Sequence, residues 1–196
     1  MTARAATTTL VTGPVRSGKS RHAEHLVAVH DDVLYVATGR PADDADSAWT
    51  ARVRSHQQRR PRSWRTLETA DLDAALISAT GSVVIDCLGT WLTAQVDLVG
   101  WDDLDRAAEH LRDRTATFID LLCRAGNPVV IVTNEVGWSL VPMTASGRFF
   151  QDELGRLNAA VARVAATVHL VVAGRVVDLS DAPAVPESFP PRTFDA

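Results

Sequence analysis

Residues 8–20 read TTLVTGPVRSGKS, from Thr8 to Ser20, and this stretch decides the fold. Its opening, Thr8 to Thr12, is β-branched and aliphatic, the composition of a buried strand. Gly13, Pro14, Val15, Arg16, Ser17, Gly18, Lys19 and Ser20 then fit G-x-x-x-x-G-K-S/T at every fixed position, and a helical period follows. Strand, glycine loop and helix in that order make a Walker A phosphate loop. Glycines let backbone N–H groups turn inward around phosphate oxygens, and the helix start adds partial positive charge. Lys19 would reach the β and γ oxygens, and the Ser20 hydroxyl would ligand Mg²⁺. An ordinary glycine turn can match so short a pattern, but the strand-loop-helix setting argues against it.

The lysine count argues against it too. Lys19 is the only lysine in the chain, and every other one of the 20 cationic residues is arginine. The count also excludes relatives of the loop: regulatory GTPases read guanine with N-K-x-D, and protein kinases need a strand lysine away from their glycine loop. A small-molecule kinase, a nucleotidyltransferase or a motor-type ATPase remains.

Working outward, β-branched runs alternate with segments of helical period, the pattern of a mostly parallel sheet covered by helices on both faces. The fold class is α/β. Strands are expected at Thr8 to Thr12, Val33 to Ala37, Ser82 to Asp86, Pro128 to Thr133 and Val168 to Ala173, all too apolar to alternate and hence buried on both sides. Helices are expected at Lys19 to Val29, Asp43 to Arg59, Asp71 to Ala79, Trp101 to Arg124 and Ser146 to Ala166, with a short extended piece at Trp64 to Glu68. At 196 residues one catalytic domain is the default, here 1–180, followed by a proline-rich extension over 181–196.

A net charge of -4 lacks the broad positive field of a nucleic-acid binder. Neither a signal-peptide core nor a run of about 20 apolar residues is present, which predicts a cytoplasmic protein without membrane insertion. Cys87 and Cys123 lack metal-ligand spacing and read as buried, reduced thiols.

Two further features carry chemistry. Val83-Val84-Ile85-Asp86 ends a buried strand on a carboxylate, the Walker B pattern, so Asp86 would hold hydrated Mg²⁺; the other reading is a turn cap. Between Arg52 and Arg65 the sequence RVRSHQQRRPRSWR surrounds His56 with arginines. On a helix Arg52, His56 and Arg59 or Arg60 share a face, and nearby positive charge favours a neutral, nucleophilic imidazole. From the residues alone, a solvated basic face with an incidental histidine is the more economical reading. His22, His25, His30, His110 and His169 form no metal constellation in sequence.

Taken in order, VTGPVRSGKSRHAE, VLYVATGR, RVRSHQQRRPRSWRTLE, VVIDCLGTWLT, VVIVTNEVGWSLVP and SGRFFQDELGRLNAAVA resemble the bifunctional adenosylcobinamide kinase and adenosylcobinamide-phosphate guanylyltransferase family, over roughly residues 9 to 175. The resemblance implies a RecA-like P-loop NTPase fold and two reactions at one nucleotide site. ATP or GTP phosphorylates adenosylcobinamide, and a histidine then takes GMP from GTP, releases pyrophosphate and passes GMP to adenosylcobinamide phosphate. His56 matches the guanylylated histidine, which reverses the economical reading. By the same resemblance Gly13 to Ser20 bind the triphosphate, Thr38, Gly39 and Arg40 contact nucleotide, and Gln57, Gln58, Arg59, Arg60 and Glu68 contact the guanine nucleotide. Asp86 matches the family's acidic residue, and Asn134 to Gly137 serve the corrinoid or the metal. Ser55 stands where some members have a second histidine and Arg59 where some have glycine, which bears on base selectivity. The resemblance further implies homo-oligomers, trimers foremost. A kinase lacking the guanylyl step is the nearest alternative, and a RecA-like nucleic-acid-binding ATPase the more distant one.

Overall fold

The computed structural model describes residues 8–41 and 47–186; within that range the side chains of Ala48, Arg52 and His56 are not described. One seven-stranded sheet runs through it: β1 (Thr8–Thr12), β2 (Val33–Ala37), β3 (Arg65–Glu68), β4 (Ser82–Asp86), β5 (Val129–Val132), β6 (Thr167–Val172) and β7 (Arg175–Asp178). The order across the sheet is β3-β2-β4-β5-β1-β6-β7, and every pairing is parallel except β6 with β7. The α/β class and the mostly parallel sheet agree with the sequence reading, and so do all five expected strands: β1, β2 and β4 have the expected bounds, β5 is one residue shorter at each end, and β6 is shifted by one.

Strand side chains alternate between two cores, as the pleat requires. Leu10, Leu34, Val83, Ile85 and Ile131 face the helices α3 (Leu72–Ser78), α4 (Leu88–Asp97), α5 (Leu104–Arg124) and α6 (Ala145–Val164). Val11, Tyr35, Val84, Val130 and Val132 face the opposite core, built with Ala23 and Val27 of α1 (Lys19–Val27). α2 (Ser47–Arg59) is tied to α1 by an Arg59–Glu24 ion pair. Helices therefore cover both faces, and no helix of the described residues is long and apolar enough to cross a membrane.

Several expectations need correction. α4 was not foreseen: its LGTWLTAQVD sequence buries Leu88, Gly89, Trp91, Leu92, Gln95 and Val96 around most of the helix, so no amphipathic stripe shows, and Gly89, Thr90 and Thr93 are poor helix formers. The helix expected from Trp101 starts at Leu104, because the Asp103 carboxylate accepts from the Arg106 N–H at 3.0 Å and caps it there. β7 was also missed; it returns through a two-residue turn in which Ala173 and Gly174 both have positive φ. β6 is only half-buried, since its one outer neighbour is the exposed β7. Cys123 is exposed on α5, while Cys87 is buried. Positions 43–46 of the expected second helix and 187–196 of the extension lie outside the described residues, and 183–186 carry no regular structure.

Candidate active site

β1 delivers the chain into the phosphate loop, and the loop's glycines are there for steric reasons. Gly13 has φ +153°, and a Cβ on it would lie 2.2 Å from the Val171 carbonyl oxygen of β6. Gly18 adopts the left-handed conformation at the N-cap of α1. Its carbonyl accepts from His22 N at 3.0 Å, and Ser17 O accepts from Gly174 N at 3.1 Å. Lys19 is 4% exposed, and its Nζ donates to the Pro14 carbonyl at 3.1 Å, folded across the loop it closes. The Ser17 hydroxyl is buried without a hydrogen-bond partner. A buried hydroxyl without a partner, in a glycine loop at the start of a helix, suits a place where an anion binds.

Two strands over, Asp86 ends β4, aligned with Val132 of β5, which β5 in turn aligns with Val11 of β1. Two strand spacings put this carboxylate about 10 Å across the sheet from the strand that enters the loop. Tyr35 OH donates to Asp86 Oδ2 at 2.5 Å. Burial, and then the Asp86 charge, push the Tyr35 phenol well above its ordinary range, so the hydroxyl stays a donor. Burial and Asp86 likewise push the Cys87 thiol up, which keeps it protonated. The Ser20 hydroxyl, in the first turn of α1, and the Asp86 carboxylate, at the end of β4, are hard oxygen donors of the kind Mg²⁺ takes, and Mg²⁺ binds few protein ligands and completes its shell with phosphates and water. Among the described residues no group of three or more His, Cys, Asp or Glu could hold a metal ion by itself.

A cleft opens beside Asp86 at the carboxyl ends of β2, β3 and β4. Gly39, Arg40, Gln57, Arg60, Glu68 and Asp86 line it, six positions singled out in the sequence. Gln57 Nε2 donates to Glu68 Oε1 at 3.4 Å, joining α2 to β3. The Arg60 guanidinium lies 3.5 Å over the centre of the Tyr35 ring, a close cation–π contact, and donates to Thr66 Oγ1 at 3.3 Å. The Arg40 guanidinium lies over the Trp49 ring, 5.9 Å from its centre, and the Trp49 indole N–H donates to the Arg40 carbonyl. Asn134 also lines the cleft, and its Oδ1 is buried without a hydrogen-bond partner.

Other expected site residues stand elsewhere. None of Gly13 to Ser20 lines this cleft. Thr38 is buried in hydrogen bonds to the Cys87 carbonyl and to Thr90 Oγ1, each 2.7 Å, and lines an adjoining cleft instead. Gln58 is exposed. Arg59 turns to Glu24 of α1, with Nε and Nη2 at 3.2 and 3.1 Å from the two carboxylate oxygens. Burial works against its charge, but the Glu24 hydrogen bonds and charge outweigh it and raise the Arg59 pKa. His56 lies in α2 one position before Gln57, and its side chain is outside the description.

Sequence reasoning missed Tyr35, although the single tyrosine of the chain in a buried strand was a usable signal, because a buried phenol needs a partner. It also missed how Glu135 is held. Glu135 N donates to the Gly13 carbonyl at 3.1 Å, and Thr12 Oγ1 donates to Glu135 Oε1 at 2.5 Å.

A strand-loop-helix phosphate loop, a strand-end carboxylate and a polar cleft at the carboxyl ends of parallel strands, lined by Arg40, Arg60, Glu68 and Asp86, are the features of a P-loop nucleotide-binding protein. Residues 9–179 match the family described as cobinamide kinase / cobinamide phosphate guanyltransferase, and the chain belongs to that family. It is 38% identical over 175 residues to the bifunctional adenosylcobalamin biosynthesis protein CobU of Escherichia coli K12, covering 84% of this chain and 95% of the relative. The Salmonella typhimurium LT2 protein of the same name is 37% identical over 178 residues, covering 84% and 95%. The bifunctional adenosylcobalamin biosynthesis protein CobP of Pseudomonas aeruginosa PAO1 is 34% identical over 179 residues, covering 89% and 98%. The protein is a transferase with the kinase and guanyltransferase activities for which its family is named.

Proposed function

We propose that the protein phosphorylates adenosylcobinamide with ATP or GTP and then transfers GMP from GTP to the phosphorylated product through a guanylylated His56. The observation that carries this reading is the convergence of α2, β3 and β4 on one cleft: Gln57 and Arg60 flank the helix end that bears His56, and meet Glu68 and Asp86 there. The loop from Gly13 to Ser20 binds the triphosphate through its backbone N–H groups, except at Pro14, which has none, and at Ser17, whose N–H donates to the Pro14 carbonyl; Ser17 Oγ offers a further polar group. Lys19 exchanges its bond to Pro14 O for phosphate oxygens, and Ser20 and Asp86 hold Mg²⁺. When bound, Mg²⁺ neutralises charge on the phosphates.

The chemistry divides into three displacements. In the kinase step the aminopropanol oxygen bonds to Pγ, the bond from Pγ to the β-bridging oxygen breaks, and the nucleoside diphosphate leaves. In the second, a His56 ring nitrogen bonds to Pα of GTP, the Pα–O bond to pyrophosphate breaks, and pyrophosphate departs. In the third, a phosphate oxygen of adenosylcobinamide phosphate bonds to Pα and the P–N bond breaks, giving adenosylcobinamide-GDP and free His56. Splitting the transfer lets one cleft serve both guanylyl displacements, with Arg60 and Arg40 as the cations that would stabilise charge on the transferred group.

The same reading assigns Thr38, Gly39, Gln58 and Arg59 to the nucleotide's surroundings and takes 1–180 as the catalytic unit, with 181–196 as an extension. It takes the enzyme as cytoplasmic, an expectation of the sequence reading, and as a homo-oligomer, an expectation that rests on the family resemblance.

A product assay tests the whole reading. Incubation with adenosylcobinamide, Mg²⁺ and ATP should yield a phosphorylated corrinoid, and further addition of GTP should convert it to the GDP derivative with release of pyrophosphate. A phosphorylated corrinoid that GTP leaves unchanged would reduce the enzyme to a kinase.

A further inference from the structure

Of the three displacements just described, only the first has a nucleophile with a proton to lose. A neutral imidazole nitrogen and a phosphate oxygen attack without shedding one, whereas the aminopropanol hydroxyl must give up its hydrogen as it bonds to phosphorus. The site therefore needs one proton acceptor, placed at the γ-phosphate end, and used in the kinase step alone.

β5 lies between β1, which leads into the phosphate loop, and β4, which ends at Asp86. Its carboxyl end thus faces the gap between the loop and the Walker B carboxylate. Glu135 follows that end and is pinned to the loop by its own N–H on the Gly13 carbonyl, 3.1 Å. Thr12 Oγ1 at 2.5 Å and Asn158 Nδ2 at 3.4 Å both donate to Oε1. Asn158 is itself fixed, accepting from Thr133 Oγ1 at 2.6 Å and donating to the Asn134 carbonyl at 3.0 Å.

Among the described residues no hydrogen bond reaches Glu135 Oε2, and no cation pairs with this carboxylate. An amide oxygen would accept from Thr12 and Asn158 equally well, so the scaffold accounts for one oxygen and leaves the other oxygen and the charge unexplained. The neighbouring carboxylates are otherwise engaged: Glu24 with Arg59, Asp86 with Tyr35, and Glu68 with Gln57.

We propose that Glu135 is the general base of the kinase step, a role that rests on the functional reading above. As the substrate oxygen bonds to Pγ and the Pγ–O bond to the leaving diphosphate breaks, the hydroxyl proton passes to Glu135 Oε2 and is later released to water. The Thr12 and Asn158 bonds to Oε1 fix the carboxylate so that Oε2 is the oxygen left for substrate.

The test compares wild type, Glu135→Gln and Glu135→Asp with Mg²⁺, ATP and adenosylcobinamide, alongside covalent labelling by GTP. Glu135→Gln keeps the acceptor for Thr12, so the fold and nucleotide site should stand. The kinase kcat should fall about 100-fold or more with the KM for adenosylcobinamide little changed, and Glu135→Asp should recover part of it. Labelling by GTP, which involves no attacking hydroxyl, should proceed in Glu135→Gln. Wild-type kinase rates in Glu135→Gln, or parallel loss of phosphorylation and labelling, would overturn the assignment. An inactive wild type would instead overturn the functional reading, and this inference with it.

Discussion

Tyr35 of β2 donates its phenolic hydrogen to Asp86 Oδ2 of β4 across 2.5 Å, while the Arg60 guanidinium lies over a face of the same ring. Asp86 aligns with Ala37, two residues beyond Tyr35 on the same face of β2, so the bond runs diagonally between adjacent strands. One tyrosine thereby orients the carboxylate proposed to hold Mg²⁺ and seats an arginine that lines the adjoining cleft.

Tyr35→Phe should keep the ring under Arg60 and lose only the donor. A hydrogen bond to a charged group contributes about 1.5 to 3 kcal/mol, so kcat/KM in the kinase step should fall about tenfold or more. The Mg²⁺ concentration for half-maximal rate should rise with it. Unchanged Mg²⁺ dependence in a folded Tyr35→Phe protein would show that Asp86 needs no orienting donor.

Arg59 and Glu24 join α2 to α1 through two charge-assisted hydrogen bonds. Because Glu24 is 9% exposed, Arg59→Ala leaves a mostly buried carboxylate without its partner. Urea unfolding should show a loss of about 1 to 2 kcal/mol, reduced because the Arg59 side of the pair is partly solvated and salt-screened. In a cycle with Glu24→Ala the two effects should be non-additive by about 1 kcal/mol; simple additivity would mean the pair holds nothing together.

His22 of α1 shares a 2.9 Å hydrogen bond with His169 of β6, one ring donating and the other accepting. Burial, then the charges of His169 and His25, lower the His22 pKa below its ordinary 6.5. A histidine whose folded pKa is depressed stabilises the fold fully above its unfolded pKa, and that contribution is lost as pH falls from there through the folded value. The urea midpoint should therefore decline on acidification below about pH 6.5, and His22→Gln should flatten the decline. An equal slope in both proteins would assign the acid sensitivity to other groups.

What was legible in the sequence is what local chemistry constrains. The phosphate loop must present glycine, lysine and serine at fixed spacing, and strands buried on both faces must be continuously apolar, so Gly13 to Ser20 and β1, β2, β4 and β5 stood out. α4 did not, because a helix buried around most of its surface has no polar face to mark its period. The contacts that organise the site were equally hidden. Tyr35 and Asp86 lie 51 residues apart, and Thr12 and Glu135 lie 123 apart, so strand order alone brings them together. Arg59 shows the reverse: its place beside His56 suggested a nucleotide contact, and its side chain turns to Glu24.

Guanylylation of His56, as proposed, is tested most directly by covalent labelling. Wild type and His56→Ala, each with Mg²⁺ and GTP labelled at the α-phosphate, are denatured and assayed for protein-bound label. Label on wild type alone, released by acid as a phosphoramidate would be, is the result predicted. Equal label on both proteins, or none on a folded wild type that binds GTP, would contradict the role of His56.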